Sequence, residues 1–445
     1  MEFGTGGTRG LFEELNGKTA YEVGNIFAPQ MGKRIVLAMD HRLTSPSIYY
    51  GLASGILESG SDVLGLSYCP SPVAEFYNTY KKCDGLFIVT ASHNPPEYNG
   101  IKVVDGRGVI ISKENARDMA KKRMSIANWN CVGKLIHRDQ SAAEFYIDNV
   151  LSLVKKDRIR KKRFIVDYGN GVTVDVFSKI LKQLELDTIW LNATMDGNFP
   201  GRNSEPSVEN LAALMESCKN HGMMGIAFDG DGDRLSMVDE DGNFVSGDVV
   251  FALAIRKMYE EGKKGDVVTT VATSKLIEDI VRKAGHKVIY TKIGATYIAE
   301  QCLKKSVMGG GEEVGGTIWK GLSYGKDGML TALKIIEMLD GRELKSIVKE
   351  LPIWHTFKAK LEFRKMKKDV LMQKIKDMFK NDKINDMDGI RVDYSDYWIL
   401  VRPSGTEHNM LRVWASSRDK DKAELKGKEL IEKIERLFSE NVPEG

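Results

Sequence analysis

Three times along this 445-residue chain a short β-rich run gives way to an amphipathic helical pattern and then to a second β-rich run. The leading runs are residues 34–39, 163–166 and 266–271, and their followers are 62–66, 188–191 and 287–290. Strands alternating with helical periodicity build α/β units, and the recurrence predicts three similar ones of roughly a hundred residues each. The C-terminal stretch differs in texture. A charged helix near 366–381, β-rich runs around 389–401 and 411–414, and a closing Lys/Glu-rich helix predict a smaller α+β domain. The expected boundaries are 1–138, 139–245, 246–350 and 351–445. The expected fold class is therefore α/β, three mixed α/β domains followed by the α+β one.

Composition excludes several classes. Lys plus Arg exceed Asp plus Glu by only 65 to 62, so no global field points to nucleic acid or an anionic membrane. No basic patch with interleaved aromatics supports nucleic-acid binding either. The five cysteines are odd in number, scattered, and without a Cys-x-x-Cys pair, which reads as reduced thiols and neither a disulfide frame nor a zinc site. The opening residues lack the pattern of a signal or transit peptide, and no apolar run is long enough to span a bilayer. A cytoplasmic protein is expected. Charge runs such as Lys155-Lys156 and Lys365-Met366-Lys367-Lys368 read as solvated helix faces.

Four polar loops carry the chemistry. The first, Thr90-Ala91-Ser92-His93-Asn94-Pro95-Pro96, follows the apolar run 85–89, and Asn-Pro-Pro turns the chain sharply. It presents the Ser92 hydroxyl at a strand's carboxyl end, where ligands bind in open α/β sheets, with His93 beside it and Lys102 ten residues on. The second, Asp229-Gly230-Asp231-Gly232-Asp233-Arg234, follows the strand-like 224–228. Three alternate carboxylates repel unless a cation sits between them, and the all-oxygen set suits Mg²⁺ or Ca²⁺. An EF-hand is rejected because Arg234 replaces the turn glycine and strands flank the loop; short aspartates favour Mg²⁺.

The third loop, Gly309-Gly310-Gly311-Glu312-Glu313-Val314-Gly315-Gly316, offers glycines for close approach of a ligand and Glu312 as an acceptor for sugar hydroxyls. Alone it fits a Gly-rich turn with surface glutamates equally well. The fourth, Arg402-Pro403-Ser404-Gly405-Thr406-Glu407, follows the strand-like 397–401 and makes a plausible phosphate cradle of Arg402, Ser404, Gly405, Thr406 and exposed backbone N–H groups. No Walker loop or Gly-x-Gly-x-x-Gly fingerprint competes with it. A hydrolase would want Gly-x-Ser-x-Gly and would leave the aspartates unused. Phosphoryl transfer to and from Ser92 is the reaction that needs all four loops.

In this order the loops resemble those of the α-D-phosphohexomutase superfamily over the whole chain, with supporting matches at Phe3-Gly4-Thr5-Gly6-Gly7-Thr8-Arg9-Gly10, Asp40-His41-Arg42-Leu43-Thr44-Ser45-Pro46 and Asp196-Gly197-Asn198-Phe199-Pro200. The resemblance implies four domains around one central cleft. It implies a resting phosphoserine at Ser92 that also ligates Mg²⁺ on Asp229, Asp231 and Asp233. It implies interconversion of hexose 1- and 6-phosphates of glucose or mannose through a hexose 1,6-bisphosphate, which doubles as activator. Arg402, Ser404, Gly405 and Thr406 would hold the phosphate, Glu312 the sugar hydroxyls, and Arg9 and Arg234 would offset charge. His93 is reserved for orientation.

Two departures stand out. Val314 and Gly316 occupy the places of a serine and histidine in the bacterial mannose/glucose branch, whereas Lys326-Asp327-Gly328 matches the glucose-1-phosphate branch. General acid/base work therefore falls to Lys102 and Lys326, with a depressed pKa expected for at least one. His408 replaces the family's usual proline. The alternative within the class is a phosphoglucosamine mutase; outside it, a non-catalytic sugar-phosphate-binding protein. The expected partner is a small phosphosugar, with the chain a monomer or homo-oligomer.

Overall fold

The computed structural model describes residues 7–363, 366–404 and 409–439. The chain divides into two compact units, Met1–Val268 with Gly294–Glu350, and Thr269–Ile293 with Leu351–Gly445.

In the first unit, the first sheet comprises β1 (Thr8–Leu11), β2 (Arg34–Met39), β3 (Asp62–Tyr68), β4 (Gly85–Val89), β5 (Tyr98–Asp105) and β6 (Leu135–His137), in the order β1-β5-β4-β2-β3-β6. Every residue of β4 is buried, as a strand covered on both faces requires of its continuous apolar run. Ile35, Leu37 and Phe87 pack with Phe27, Ile48 and Leu52 from helices Gly17–Met31 and Ser45–Glu58. The second sheet comprises β7 (Phe164–Asp167), β8 (Thr188–Leu191), β9 (Met224–Phe228), β10 (Leu235–Val238) and β11 (Phe244–Val245), in the order β11-β10-β9-β7-β8. The third repeat adds β14 (Val307–Glu312), β15 (Gly316–Ile318) and the start of β12 (Asp266–Thr270) to this unit, while the end of β12 and β13 (Val288–Thr291) belong to the second unit. Up to Val268, β12 pairs parallel with β14, which pairs antiparallel with β15.

A common device recurs. In each repeat a strand paired parallel to its neighbour on one side leads through a tight turn into an antiparallel partner: β4 to β5, β9 to β10, β14 to β15. The three turns hold Ser92, the aspartates, and the residues after Glu312. Polar loops at the carboxyl ends of sheet strands are where an α/β fold exposes backbone and side chains to a ligand.

The second unit contains an antiparallel sheet of β16 (His355–Glu362), β17 (Ile384–Asn385), β18 (Ile390–Asp393), β19 (Tyr397–Pro403) and β20 (Met410–Ser417), in the order β16-β20-β19-β18-β17. Helices Lys368–Met378 and Lys420–Ser439 bury Leu371, Ile375, Leu430 and Ile434 with Val392, Val401 and Val413 of that sheet. This is the α+β texture expected from the sequence. β17 and β16 were not anticipated; in β16, Lys358, Lys360 and Glu362 are exposed on a sheet edge, where charged side chains discourage further pairing. Arg391 is buried and donates to Val271 O and Thr273 O, joining the 269–293 segment to this sheet. Among the described residues no helix is long and apolar enough to cross a membrane.

Candidate active site

After Val89 the chain turns so tightly that Ser92 takes φ 52°, the left-handed region, which costs an L-residue on the order of 1–2 kcal/mol. Surrounding bonds hold it there. The Ser92 N–H donates to Thr90 Oγ1 at 2.8 Å. Arg42, wholly buried, donates from Nη1 to Pro95 O and Tyr98 O, and from Nη2 to Ser92 O and Asn94 O, at 2.6–3.0 Å. Asp40 anchors that guanidinium through Arg42 Nε at 3.1 Å. The result is a Ser92 Oγ that donates to Asp229 Oδ2 at 2.7 Å. His93 Nδ1 lies 3.3 Å from the same Oγ, a long contact. Burial, with Arg234 and Arg9 nearby, drives the His93 pKa far down, so the ring is neutral. Arg9, on β1, donates from Nη1 to Asn94 Oδ1 at 2.8 Å.

Asp229, Asp231 and Asp233 are buried, and one ligand oxygen from each lies within 4.8 Å of the others. Gly232 N–H and Arg234 N–H both donate to Asp229 Oδ1, at 3.0 and 3.1 Å, fixing its carboxylate. Gly232 makes the turn possible at φ +79°. Asp231 Oδ1 and Asp233 Oδ1 accept no hydrogen bond. Burial, then the charges of Asp231 and Asp233, push the Asp229 carboxyl up to about 8. Converging hard oxygens, two without hydrogen-bond partners, fit a divalent cation.

The two lysines reach the carboxylate cluster and are charged otherwise than expected. Lys102 projects from mid-β5, and its Nζ donates to Asp231 Oδ2 at 2.6 Å and Asp233 Oδ2 at 3.0 Å. Lys326 Nζ reaches Glu312 Oε1 at 2.7 Å and Asp233 Oδ1 at 3.4 Å. The expectation of a depressed lysine pKa is overturned: both are raised. Burial opposes each ammonium, but Asp231, Asp233 and Glu75 around Lys102, and Asp233 and Glu312 around Lys326, outweigh it. The same ammonium groups, with Arg234, outweigh burial at Asp233 and hold its carboxyl well below the usual range.

The glycine-rich stretch is corrected too. Gly309, Gly310 and Gly311 lie inside β14, and only the residues between Glu312 and Gly316 form a turn. Their lack of a side chain serves packing: a Cβ at Gly311 would lie 2.5 Å from the Phe251 ring, and one at Gly310 2.7 Å from Ile298 Cγ2. Gly316 has its own reason, since a Cβ there would come within 2.3 Å of Lys326 Cδ. The residue that stands for a family histidine thus clears the path for Lys326 to Glu312.

Arg234 sits 3.4 Å from Glu205 Oε1 through Nη1, and its buried Nε has no hydrogen-bond partner. In the second unit, Arg402 at the end of β19 pairs with Asp388 at 3.3 Å, and its Nε is likewise unpartnered. Ser404 N–H is engaged by Met410 O at 2.7 Å, so this donor of the expected cradle is already used. Gly405 and Thr406 lie outside the described residues, as does His408.

Sequence reasoning missed four contributors. Arg42 and Asp40 fell within a segment noted only as a supporting match. Ser71 Oγ donates to Asp231 Oδ2 at 2.5 Å, and no pattern signals it. Glu75, on helix Ser71–Tyr80, is buried with Oε2 unpartnered; burial, against the opposing pull of Lys102, pushes its carboxyl up to about 8. A glutamate inside an apolar helix face was the available signal.

Comparison with known proteins follows this geometry. The chain matches, in succession, phosphoglucomutase/phosphomannomutase alpha/beta/alpha domain I over residues 1–127, domain II over 144–242, domain III over 246–354, and the C-terminal domain over 343–433. It is 35% identical over 439 residues to a phosphoglucomutase/phosphomannomutase of Thermococcus kodakarensis, covering 95% of each chain. It is also 35% identical over 425 residues to a probable phosphoglucosamine mutase of Methanosarcina barkeri, covering 94% of this chain and 95% of that one. The fold is shared with a phosphoglucomutase/phosphomannomutase family protein of Burkholderia thailandensis, TM-score 0.87 at 24% identity over 98% and 97% of the two chains. It is shared as well with pp63/parafusin of Paramecium in its open form, TM-score 0.79 at 17% identity over 100% and 96%. Three α/β domains and an α+β fourth, with this match along the whole length, define a phosphohexomutase, an isomerase that relocates phosphate on a sugar. The chain belongs to the phosphoglucomutase/phosphomannomutase family.

Proposed function

We propose that this enzyme interconverts hexose 1-phosphate and hexose 6-phosphate of glucose or mannose through a phosphoserine at Ser92 and a hexose 1,6-bisphosphate. The observation that carries the reading is the strained Ser92, whose Oγ is held 2.7 Å from Asp229 in a cluster of three buried carboxylates. Mg²⁺ bound by Asp229, Asp231, Asp233 and the phosphorylated Ser92 would supply positive charge at the phosphoryl oxygens.

In the transfer, a sugar oxygen bonds to phosphorus as the bond from phosphorus to Ser92 Oγ breaks. Lys102 and Lys326 carry the protons: an ammonium protonates the departing Oγ, and the sugar hydroxyl's proton replaces the one given. Arg9 and Arg234 offset charge as it spreads over the phosphoryl oxygens. His93, neutral, orients Oγ. Glu312 accepts the sugar hydroxyls, and Arg402, Ser404, Gly405 and Thr406 bind the phosphate that is not reacting. The bisphosphate turns over and returns its other phosphate to Ser92, so these contacts must serve either orientation. The domain boundaries implied are 1–138, 139–245, 246–350 and 351–445.

Glucose 1-phosphate incubated with enzyme, Mg²⁺ and glucose 1,6-bisphosphate should yield glucose 6-phosphate. No product beyond that of a Ser92→Ala control would sink the proposal. A phosphoglucosamine mutase is the second reading, supported by the equal identity to the Methanosarcina barkeri relative. Side-by-side turnover of glucose, mannose and glucosamine phosphates separates the two. A sugar-phosphate-binding protein without catalysis would leave Ser92 unphosphorylated after bisphosphate exposure, as read by intact mass.

A further inference from the structure

Ser204 precedes Glu205 in the segment between the second and third strands of the second sheet, and nothing in the proposed chemistry uses it. Its side chain is 1 % exposed. Its Oγ donates to Ser92 O at 2.8 Å and accepts from Gly230 N–H at 3.1 Å. One hydroxyl therefore joins the backbone of the serine turn to the backbone of the aspartate loop. Ser92 O also accepts from Arg42 Nη2 at 2.9 Å, so the carbonyl of the strained residue is held from two sides. Gly230 completes the junction: a Cβ there would sit 2.6 Å from Ser204 Oγ and 2.9 Å from Ser92 O, and no other residue allows the loops this close.

We propose that Ser204 is a positioning residue for phosphoryl transfer, setting the register of Ser92 Oγ against Asp229 by tying the two loops together. The inference rests on the phosphoserine reading above. Bonds to the polypeptide backbone act on Ser92 alone and not on the sugar, so the hydroxyl governs the transfer step and leaves sugar affinity untouched. Misplacement of reacting groups by a fraction of an ångström is costly to such a step.

The test is Ser204→Ala, with Ser204→Thr as the conservative variant. Steady-state kinetics with glucose 1-phosphate should show kcat down about tenfold, the worth of one hydrogen bond, with KM unchanged. Single-turnover phosphorylation of Ser92 by glucose 1,6-bisphosphate should slow by the same factor, and Ser204→Thr should recover most of it. An unchanged kcat overturns the inference, and so does a loss that only tracks a lower melting temperature or a smaller folded fraction. A wild-type enzyme that makes no glucose 6-phosphate would instead overturn the mutase reading.

Discussion

At Lys102 the surrounding carboxylates hold a charge where a depressed pKa was expected of it or of Lys326. Two carboxylates within 3.0 Å of one buried ammonium make the pair mutually dependent. Lys102→Met should therefore abolish turnover and cost on the order of 3–5 kcal/mol, because it leaves buried charges unmatched; denaturant unfolding reads the cost. Glu75 supplies a pH signature. Its carboxyl is raised to about 8, so the fold favours the protonated form. That contribution is present in full below the ordinary glutamate range and is lost as pH rises through about 8. Each such carboxyl costs chelator-treated protein up to about 1.4 kcal/mol per pH unit over that window; Asp229 shares the window, so Glu75→Gln should make the decline shallower without removing it, as read by melting temperature from pH 5.5 to 8.5. A parallel decline in the variant would refute it. Ser92 and the aspartates were legible from residue type and spacing, and Lys326 only through the family resemblance. Glu75, Ser71 and Ser204 were not, since each acts through neighbours more than a hundred residues away or through burial alone.

Among elements, the β14–β15 hairpin separates packing from chemistry. Gly311→Ala pushes a methyl group into the Phe251 ring and should destabilise by about 1–3 kcal/mol. Gly316→Ala instead presses on the flexible Lys326 chain, so it should lower kcat with a smaller loss of stability. Melting curves beside kinetics distinguish the two, and equal effects on both readouts would contradict the division. The glycine run looked like a loop because glycine is depleted in strands. It is a strand because helices Gly247–Glu260 and Ala295–Cys302 press on it through Phe251 and Ile298. β16 carries no continuous apolar run, and its charged side chains protect a sheet edge.

For the whole molecule, the family match runs through all four domains, so the ordered loops and the ordered sheets are two views of one architecture. The buried carboxylate cluster predicts a metal-linked stability. Mg²⁺ at about a hundred times its Kd should add about 2.7 kcal/mol, and excess chelator should remove it. Asp231→Asn should abolish most of that dependence; a melting temperature indifferent to Mg²⁺ in the wild type would count against the site.

The sequence alone determined that strands and helices alternate in three repeats, that a fourth domain differs, and that Ser92, three aspartates and a family of phosphomutases belong together. Hydrophobic periodicity and the chemistry of adjacent residues are local properties, and local properties can be read along a chain. Tertiary structure decided what depends on distance: that Ser92 is strained and held by Arg42, that both lysines are ammonium groups, and that Gly316 yields to Lys326. Charge state and backbone strain depend on what burial brings within a few ångströms, and residues far apart in sequence supply most of it here.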